Sequence, residues 1–174
     1  MQTLVIMALK VESQGLFEAA GFNPFYCGVG STKATHSLTN LIHQHKPKKI
    51  LNLGTAGSHH FQIGHLVECT SFVQRQSEPL EKASEIIHCE TLTDLPKAIC
   101  GSADFIETKT ALTKCDIFDM EAYSLASVCK KMHIPFHSIK YVTDSSNHDV
   151  VTDWKKNLIP AANAFLTQLK VMKI

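Results

Sequence analysis

Apolar and polar positions form blocks along the chain that predict strands and helices in turn. The runs TLVIMAL (3–9) and KKILNLG (48–54) are apolar enough for buried strands. Between them, STKATHSLTNLIHQH (31–45) repeats apolar residues at helical spacing after a serine cap. The same criteria predict strands at 24–30, 65–73, 97–102, 115–120 and 135–143, one strand within 84–92, and helices at 12–20, 120–132 and from Thr152 to the end, with a kink or break at Pro160.

This alternation predicts the fold class. Strands and helices that follow one another indicate an α/β protein with a central mixed, largely parallel sheet flanked by helices. No linker or repeat divides the chain, so residues 1–174 are expected to form a single domain. Ligands of such folds bind at the carboxyl ends of strands. The polar residues that follow the predicted strands are Glu12, Gly28–Ser31, Thr55–Ser58, Glu121 and Asp144.

One predicted helix carries a carboxylate on its apolar side. Glu121, Leu125, Val128 and Met132 follow one another at spacings of four, three and four. In one interpretation Asp119 caps the helix and Glu121 is a solvated residue of the first turn, where the helix dipole favours negative charge. In the other, the start of the helix opens into a pocket and Glu121 binds a ligand.

Composition narrows the function classes. The 174 residues are 44% hydrophobic with a net charge of +1, which indicates a globular core and gives no electrostatic reason to expect nucleic acid or a membrane as a partner. The six cysteines form no CxxC pair and lie largely in apolar runs, as expected of reduced thiols in the cytoplasm. Neither a signal peptide nor a membrane span is predicted. The ten histidines lack the spacing of a metal site, so we expect no metal and no cofactor.

Three short motifs follow predicted strands. GVGST (28–32), NLGTAGS (52–58) and TDSSN (143–147) each read equally well as a plain turn or as part of a ligand site. GVGST is neither GxGxxG nor a P-loop. Each motif is therefore a weak signal alone, and their order along the chain carries more information.

Taken together, the motifs resemble those of the purine nucleoside phosphorylase and nucleosidase superfamily, and most closely those of 5′-methylthioadenosine/S-adenosylhomocysteine nucleosidases. The Met-Glu-Ala stretch and the Thr-Asp pair that ends the last strand are the more specific parts, and the glycine motifs are less specific. The matching segments are the N-terminal strand leading to Glu12, Gly28-Val29-Gly30 with Ala34, NLGTAG with QIGHLV, GSADFI (101–106), DMEA (119–122) and IPFHSIKYVTDSSN (134–147).

The resemblance implies catalytic roles for two carboxylates and sugar contacts for two neighbours. Asp144 matches the acid that protonates N7 of the leaving purine, and Glu12 matches the residue that activates water. Glu121 matches the carboxylate that binds the ribose hydroxyls, and Met120 packs against the sugar. Cleavage of an N-ribosidic bond requires an acid near the base and a carboxylate near the sugar, because negative charge develops on the base and positive charge on the sugar.

The resemblance also implies residues that bind the base. Phe105 matches the ring that stacks on it, and the backbone of Ile106 would read the adenine edge. Thr55, Ala56 and Gly57 would line the pocket near ribose and base. The implied assembly is a homodimer, because the superfamily builds its site near a subunit interface.

Three functions remain open. We expect an N-ribosyl hydrolase that acts on an adenosine-type nucleoside, with or without a modified 5′ group. A purine or uridine phosphorylase is disfavoured, because phosphate is bound best by arginine forks and the only arginine, Arg75, falls outside the superfamily's phosphate-binding positions. A non-catalytic nucleoside-binding member is the third possibility, since the region between Val73 and Lys97 is shorter than in relatives and Lys140 replaces an arginine.

Overall fold

The computed structural model describes residues 2–75, 85–105, 114–145 and 149–174. A 3-10 turn at Lys10–Glu12 follows the first strand. The strands are β1 (Thr3–Met7), β2 (Phe25–Tyr26), β3 (Lys49–Ser58), β4 (Leu66–Gln74), β5 (Ile87–His88), β6 (Lys97–Ser102), β7 (Ile117–Asp119) and β8 (Phe136–Asp144); the helices are α1 (Leu16–Ala19), α2 (Ser31–His45), α3 (Ala122–Lys131) and α4 (Val150–Val171).

The described strands form one mixed sheet. Strands β2, β1, β3 and β8 lie side by side and parallel, with Ile50 of β3 opposite Phe136 of β8. Strand β8 then pairs antiparallel with β4, which pairs in parallel with β6. Strand β6 pairs with β7, and β7 returns to the end of β3. The strands β3, β8, β4, β6 and β7 therefore close into a ring, which was not part of the expected mixed sheet flanked by helices.

Ring closure depends on the length and bend of β3. Strand β3 has ten residues and pairs with β8 from Ile50 onwards; the register shifts after Ala56, so that Gly57 lies opposite Asp144. Gly57 also pairs with β7 on its other side, and Ser58 pairs with β7. A bulge of this kind bends and twists a strand, which lets one strand serve two different neighbours.

Two buried apolar clusters pack against the strands. Residues alternate between them along β3, since Ile50 lies in one cluster and Leu51 and Leu53 lie in the other. Helices α2 and α3 contribute to the first cluster and α4 to the second. Within the described residues, no helix combines the length and hydropathy needed to cross a membrane.

Most predicted elements are present, with shifted bounds. The helical face of Ala34, Leu38 and Ile42 is buried as expected, and one short strand lies in 84–92. The helix predicted at 12–20 is wrong in its first part, which is a 3-10 turn and a break before α1. Helix α4 is not divided by Pro160, whose missing N–H costs one hydrogen bond in a helix held by a long buried face.

Candidate active site

A cavity of about 300 Å³ lies at the carboxyl ends of the parallel strands. It is bounded by the residues after β1, by the second half of β3 and by the end of β8, as the topology rule for such sheets predicts. Its volume is at the lower end of the range typical of small-molecule sites. The site residues predicted from sequence that line it are Glu12, Thr55, Ala56, Gly57, Phe105, Met120, Glu121 and Asp144. Ile106 lies outside the described residues.

The carboxylate of Glu12 is held firmly at one side of the cavity. Its Oε1 accepts hydrogen bonds from the backbone N–H of Thr55 at 3.0 Å and from the Thr55 hydroxyl at 2.9 Å. Its Oε2 accepts from the backbone N–H of Leu9 at 3.0 Å, so the 3-10 turn fixes the side chain. The indole N–H of Trp154 donates to the Thr55 hydroxyl at 2.9 Å, which ties α4 to the same network. Glu12 is thus oriented before any ligand binds.

Glu121 lies just before helix α3 and not in its first turn. The helix begins at Ala122 and its N-cap residue is Glu121, not Asp119 as expected, although the Asp119 carboxylate accepts a hydrogen bond from the Ala122 N–H at 2.9 Å. Glu121 Oε1 instead accepts from the backbone N–H of Gly30 at 2.8 Å, across the cavity. The solvated interpretation of Glu121 is wrong, because its side chain is buried and faces the pocket.

A buried ion pair lies beneath Glu121. Lys140 is 2% exposed, and its Nζ is 2.8 Å from Asp119 Oδ2. Although burial opposes a charged amine, the carboxylate of Asp119 holds the pKa of Lys140 above its usual range. Gly54 leaves room for the side chains of Lys140 and Glu12, since a Cβ there would lie 3.1 Å from Lys140 Nζ and 3.7 Å from Glu12 Oε1. Both charged atoms therefore lie close to the Gly54 backbone.

The electrostatics of the site raise the pKa of Glu121 and lower the pKa of Asp119. Burial, followed by the negative charge of Asp119, raises the pKa of Glu121 to about 7, against the opposing effect of Lys140. Burial would raise the pKa of Asp119 as well, but the Lys140 ammonium overcomes it and the pKa is lowered. Near neutral pH, Asp119 is thus charged and Glu121 is close to its own titration point, as is common in functional sites.

Asp144 ends strand β8 at the opposite side of the cavity. It is 4% exposed, and its Oδ2 accepts a hydrogen bond from the Thr143 hydroxyl at 3.0 Å. The shift of register at Ala56 places Asp144 opposite Gly57. The chain therefore presents this carboxyl group to the cavity from the end of a fully buried strand.

The far wall of the cavity is aromatic and cationic. Phe105, Phe118 and Arg75 line it together, and Phe105 is 43% exposed. The guanidinium carbon of Arg75 lies 5.0 Å from the Phe118 ring centre and 5.4 Å from that of Phe105. The residue after β4 is Arg75, and its place in the cavity lining was not predicted from the sequence.

Sequence patterns missed several further lining residues, among them Lys140, Trp154 and Arg75. Lys140 carried a signal, since it lies between Ile139 and Tyr141 in a predicted strand, and a buried lysine needs a partner. The partners themselves could not be read from the sequence. Among the described residues, no group of three or more His, Cys, Asp or Glu side chains is arranged to hold a metal ion.

Comparison with known proteins gives the site a context. No protein-family profile matches the chain. It is 26% identical over 167 residues to the 5′-methylthioadenosine/S-adenosylhomocysteine nucleosidase of Staphylococcus aureus strain JH9, covering 78% of this chain and 73% of the relative. The nucleosidase of Helicobacter pylori, solved with butyl-thio-DADMe-Immucillin-A, superposes with a TM-score of 0.84 at 18% identity, over 99% of this chain and 97% of the other.

Two more solved structures have the same fold. A futalosine hydrolase mutant from Helicobacter pylori strain 26695 has a TM-score of 0.84 at 18% identity, covering 99% of this chain and 98% of the other. The S-adenosylhomocysteine nucleosidase of Streptococcus pyogenes, in complex with 5-methylthiotubericidin, has a TM-score of 0.83 at 16% identity, covering 99% and 95%. The chain therefore has the fold of these solved nucleosidases and of the futalosine hydrolase, and its sequence is similar to that of a 5′-methylthioadenosine/S-adenosylhomocysteine nucleosidase.

Proposed function

We propose that this protein is an N-ribosyl hydrolase that cleaves the glycosidic bond of an adenosine-type purine nucleoside. One observation carries the proposal: Glu12, Glu121 and Asp144 come from three distant parts of the sequence, yet all line one cavity and are buried there. Buried carboxylates are costly unless a partner or a ligand satisfies them. The homology to nucleosidases supports the same reaction.

The proposed reaction divides its steps among these residues. Asp144 donates a proton to N7 of the base as the bond between C1′ and N9 breaks, and the bonding pair leaves with the base. Glu121 binds the ribose hydroxyls and stabilises the positive charge that builds on the sugar. Glu12 accepts a proton from the water that adds to C1′ and gives the free sugar. Phe105 stacks on the base, while Met120, Thr55, Ala56 and Gly57 shape the pocket around ribose and base.

Water is a better nucleophile than phosphate for this site. An anion would need the backbone N–H groups at the start of α2. The N–H of Gly30 donates to Glu121, and that of Ser31 donates to Asp104 Oδ1 at 2.6 Å, with the Ser31 hydroxyl on Oδ2 at 2.5 Å. Two carboxylates therefore already occupy this position. The Arg75 Nε–H already donates to the Gly101 carbonyl at 3.1 Å, so the Nε edge of the guanidinium is not available for a phosphate fork.

The protein is further proposed to be a cytoplasmic homodimer. All six cysteines are free thiols, which suits a reducing compartment. Three apolar side chains that line the cavity are more than a third exposed and could be covered by a second copy; they are Val29, Phe105 and Val151. The proposed partners are thus a small nucleoside and a second copy of the chain.

A panel of nucleosides tests the proposed activity. Purified protein is incubated with 5′-methylthioadenosine, S-adenosylhomocysteine, adenosine, inosine and uridine, and free base is measured by chromatography. We expect release of adenine, and a loss of at least about 100-fold in Glu12→Gln, because an amide cannot accept the proton of water. Glu90→Gln is the matched control, since its side chain is exposed and lies outside the cavity lining. Binding without base release would favour the non-catalytic alternative.

A further inference from the structure

Arg75 is the only arginine of the chain, and its side chain is 4% exposed. Long cationic side chains are rarely buried to this extent unless a specific environment holds them. Here the guanidinium carbon lies over the ring of Phe118 at 5.0 Å and over the ring of Phe105 at 5.4 Å. Both distances fall within the range of a cation–π interaction. Arg75 therefore contacts two aromatic rings of the cavity wall at once.

The surrounding backbone is built to accept this side chain. The Arg75 Nε donates to the Gly101 carbonyl at 3.1 Å, and the Arg75 backbone N–H donates to the Ser102 carbonyl at 2.8 Å. A Cβ at Gly101 would lie 2.8 and 2.9 Å from two carbons of the Arg75 side chain and 2.5 Å from the sulfur of Cys115. The side chain thus crosses strand β6 at a glycine, which fixes the direction of the guanidinium group.

The two rings differ in how the protein supports them. Phe118 belongs to β7 and also contacts the ring of His59, with the ring centres 5.1 Å apart. Phe105 lies after the end of β6, and 43% of its surface is exposed. A half-exposed ring loses conformational freedom when a ligand stacks on it, and that loss weakens binding. A cation held against the ring reduces this loss, because the ring is already ordered.

We propose that Arg75 is a positioning residue that holds the Phe105 ring against the cavity, so that it is ready to stack on the base of the bound nucleoside. The inference rests on the proposed function, from which the stacking role of Phe105 comes. Arg75 then acts on ground state and transition state alike. Its loss should raise the dissociation constant and KM and should leave kcat nearly unchanged.

A double-mutant cycle tests this role. Trp154 is the only tryptophan and lines the same cavity, so its fluorescence reports binding of adenine to the wild type, Arg75→Met, Phe105→Leu and the double variant. We expect Arg75→Met to weaken adenine binding by roughly 3- to 30-fold, the range of a partly buried cation–π contact. Phe105→Leu should weaken it by roughly 5- to 100-fold, the range for loss of base stacking. Adding Arg75→Met to Phe105→Leu should then cost less than about twofold more.

Controls separate positioning from folding and from the proposed function. Lys130→Met removes a cation from an exposed ion pair with Glu85 and should leave adenine binding unchanged. Arg75→Lys keeps the charge without the planar group and should recover part of the lost affinity, provided that melting curves show every variant folded. Release of base by the wild type is measured first, since its absence would refute the nucleosidase and not the role of Arg75.

Three results would overturn the inference in an active protein. Unchanged adenine binding in a folded Arg75→Met variant would show that the ring needs no support. An equal loss in the Phe105→Leu background would show that Arg75 acts by another route. A fall in kcat with KM unchanged, or rates that rise with phosphate in the wild type and not in Arg75→Met, would assign the guanidinium to the reaction itself.

Discussion

At the scale of single residues, the environment of Glu121 follows from its place one residue before the start of helix α3. The Asp119 carboxylate accepts a hydrogen bond from the N–H of Ala122. The Glu121 carboxylate instead accepts one from the N–H of Gly30 and lines the cavity. The apolar stripe below it is preserved, since Leu125 is fully buried. Spacing alone placed Glu121 on the apolar side of the helix and left open whether its side chain is solvated or faces a pocket. Its neighbours Lys140 and Gly54 could not be predicted, because they are contributed by strands whose pairing the sequence does not specify.

The roles of Asp144 and Glu121 predict different kinetic defects. Asp144→Asn keeps the size of the side chain but cannot transfer a proton, so kcat and kcat/KM should fall together by roughly 10²- to 10⁴-fold. Glu121→Gln weakens the contact with the ribose hydroxyls, so KM should rise as well. Steady-state kinetics with 5′-methylthioadenosine, beside melting curves, distinguish the two. A near-normal kcat in a folded Asp144→Asn variant would remove Asp144 from the mechanism.

The titration of Glu121 predicts a pH-dependent stability. Its pKa of about 7 in the folded protein exceeds the usual 4.5, so the folded state binds more protons between these values. The stabilising contribution is complete below about pH 4.5 and is lost as the pH rises through 7. For a shift of this size the contribution is on the order of 3 kcal/mol. Urea unfolding of the wild type and of Glu121→Gln at pH 5 and pH 8 measures it. The same change of stability with pH in both proteins would contradict this assignment.

At the scale of elements, the small-residue stretch Thr55–Ser58 shows where local pattern misleads. Glycine and alanine in succession predict a turn after a strand ending at Gly54, yet β3 continues to Ser58. The extension is stabilised by pairing with β8 and then with β7. Tertiary pairing here overrides local propensity, as it often does in strands. The helices were predicted more closely, because their apolar faces repeat within the sequence itself.

The buried carboxylate of Glu68 in strand β4 should contribute to the stability of the fold. It is 1% exposed and accepts hydrogen bonds from the N–H groups of Leu92 and Thr93 at 2.6 and 2.9 Å, and from Lys97 Nζ at 2.7 Å. Glu68→Gln would direct an amide donor at one of these N–H groups, so the free energy of unfolding should fall by about 2–4 kcal/mol. Lys97→Met should cost less, because its side chain is 37% exposed. Urea unfolding gives both values, and equal losses would refute the account.

At the scale of the whole molecule, the strand and helix order was predictable but the ring closure was not. An α/β class follows from alternation along the chain. The ring depends on antiparallel contacts of β4 with β8 and of β3 with β7, which join distant segments. The closed ring brings Arg75 and Phe105 into the lining of the same cavity as Glu12. The predicted site residues were found by motif, whereas the charges that surround them became visible only in the folded chain.

The exposed apolar residues around the cavity predict self-association. Val29 is 37% exposed and Val151 is 49% exposed, and both line the cavity. A second copy would remove this surface from water. Sedimentation velocity at micromolar concentration should therefore show a homodimer of the 19.3 kDa chain. A fully active monomer under the same conditions would contradict the proposal.

The identity of the sugar product tests the central claim most directly. Purified protein is incubated with 5′-methylthioadenosine in phosphate-free buffer and, separately, with added phosphate, and the products are identified by mass spectrometry. If water is the nucleophile, adenine and free 5-methylthioribose form at equal rates in both buffers, and oxygen-18 from labelled water appears in the sugar. A 5-methylthioribose 1-phosphate product, or a reaction that requires phosphate, would contradict the account and identify the protein as a phosphorylase.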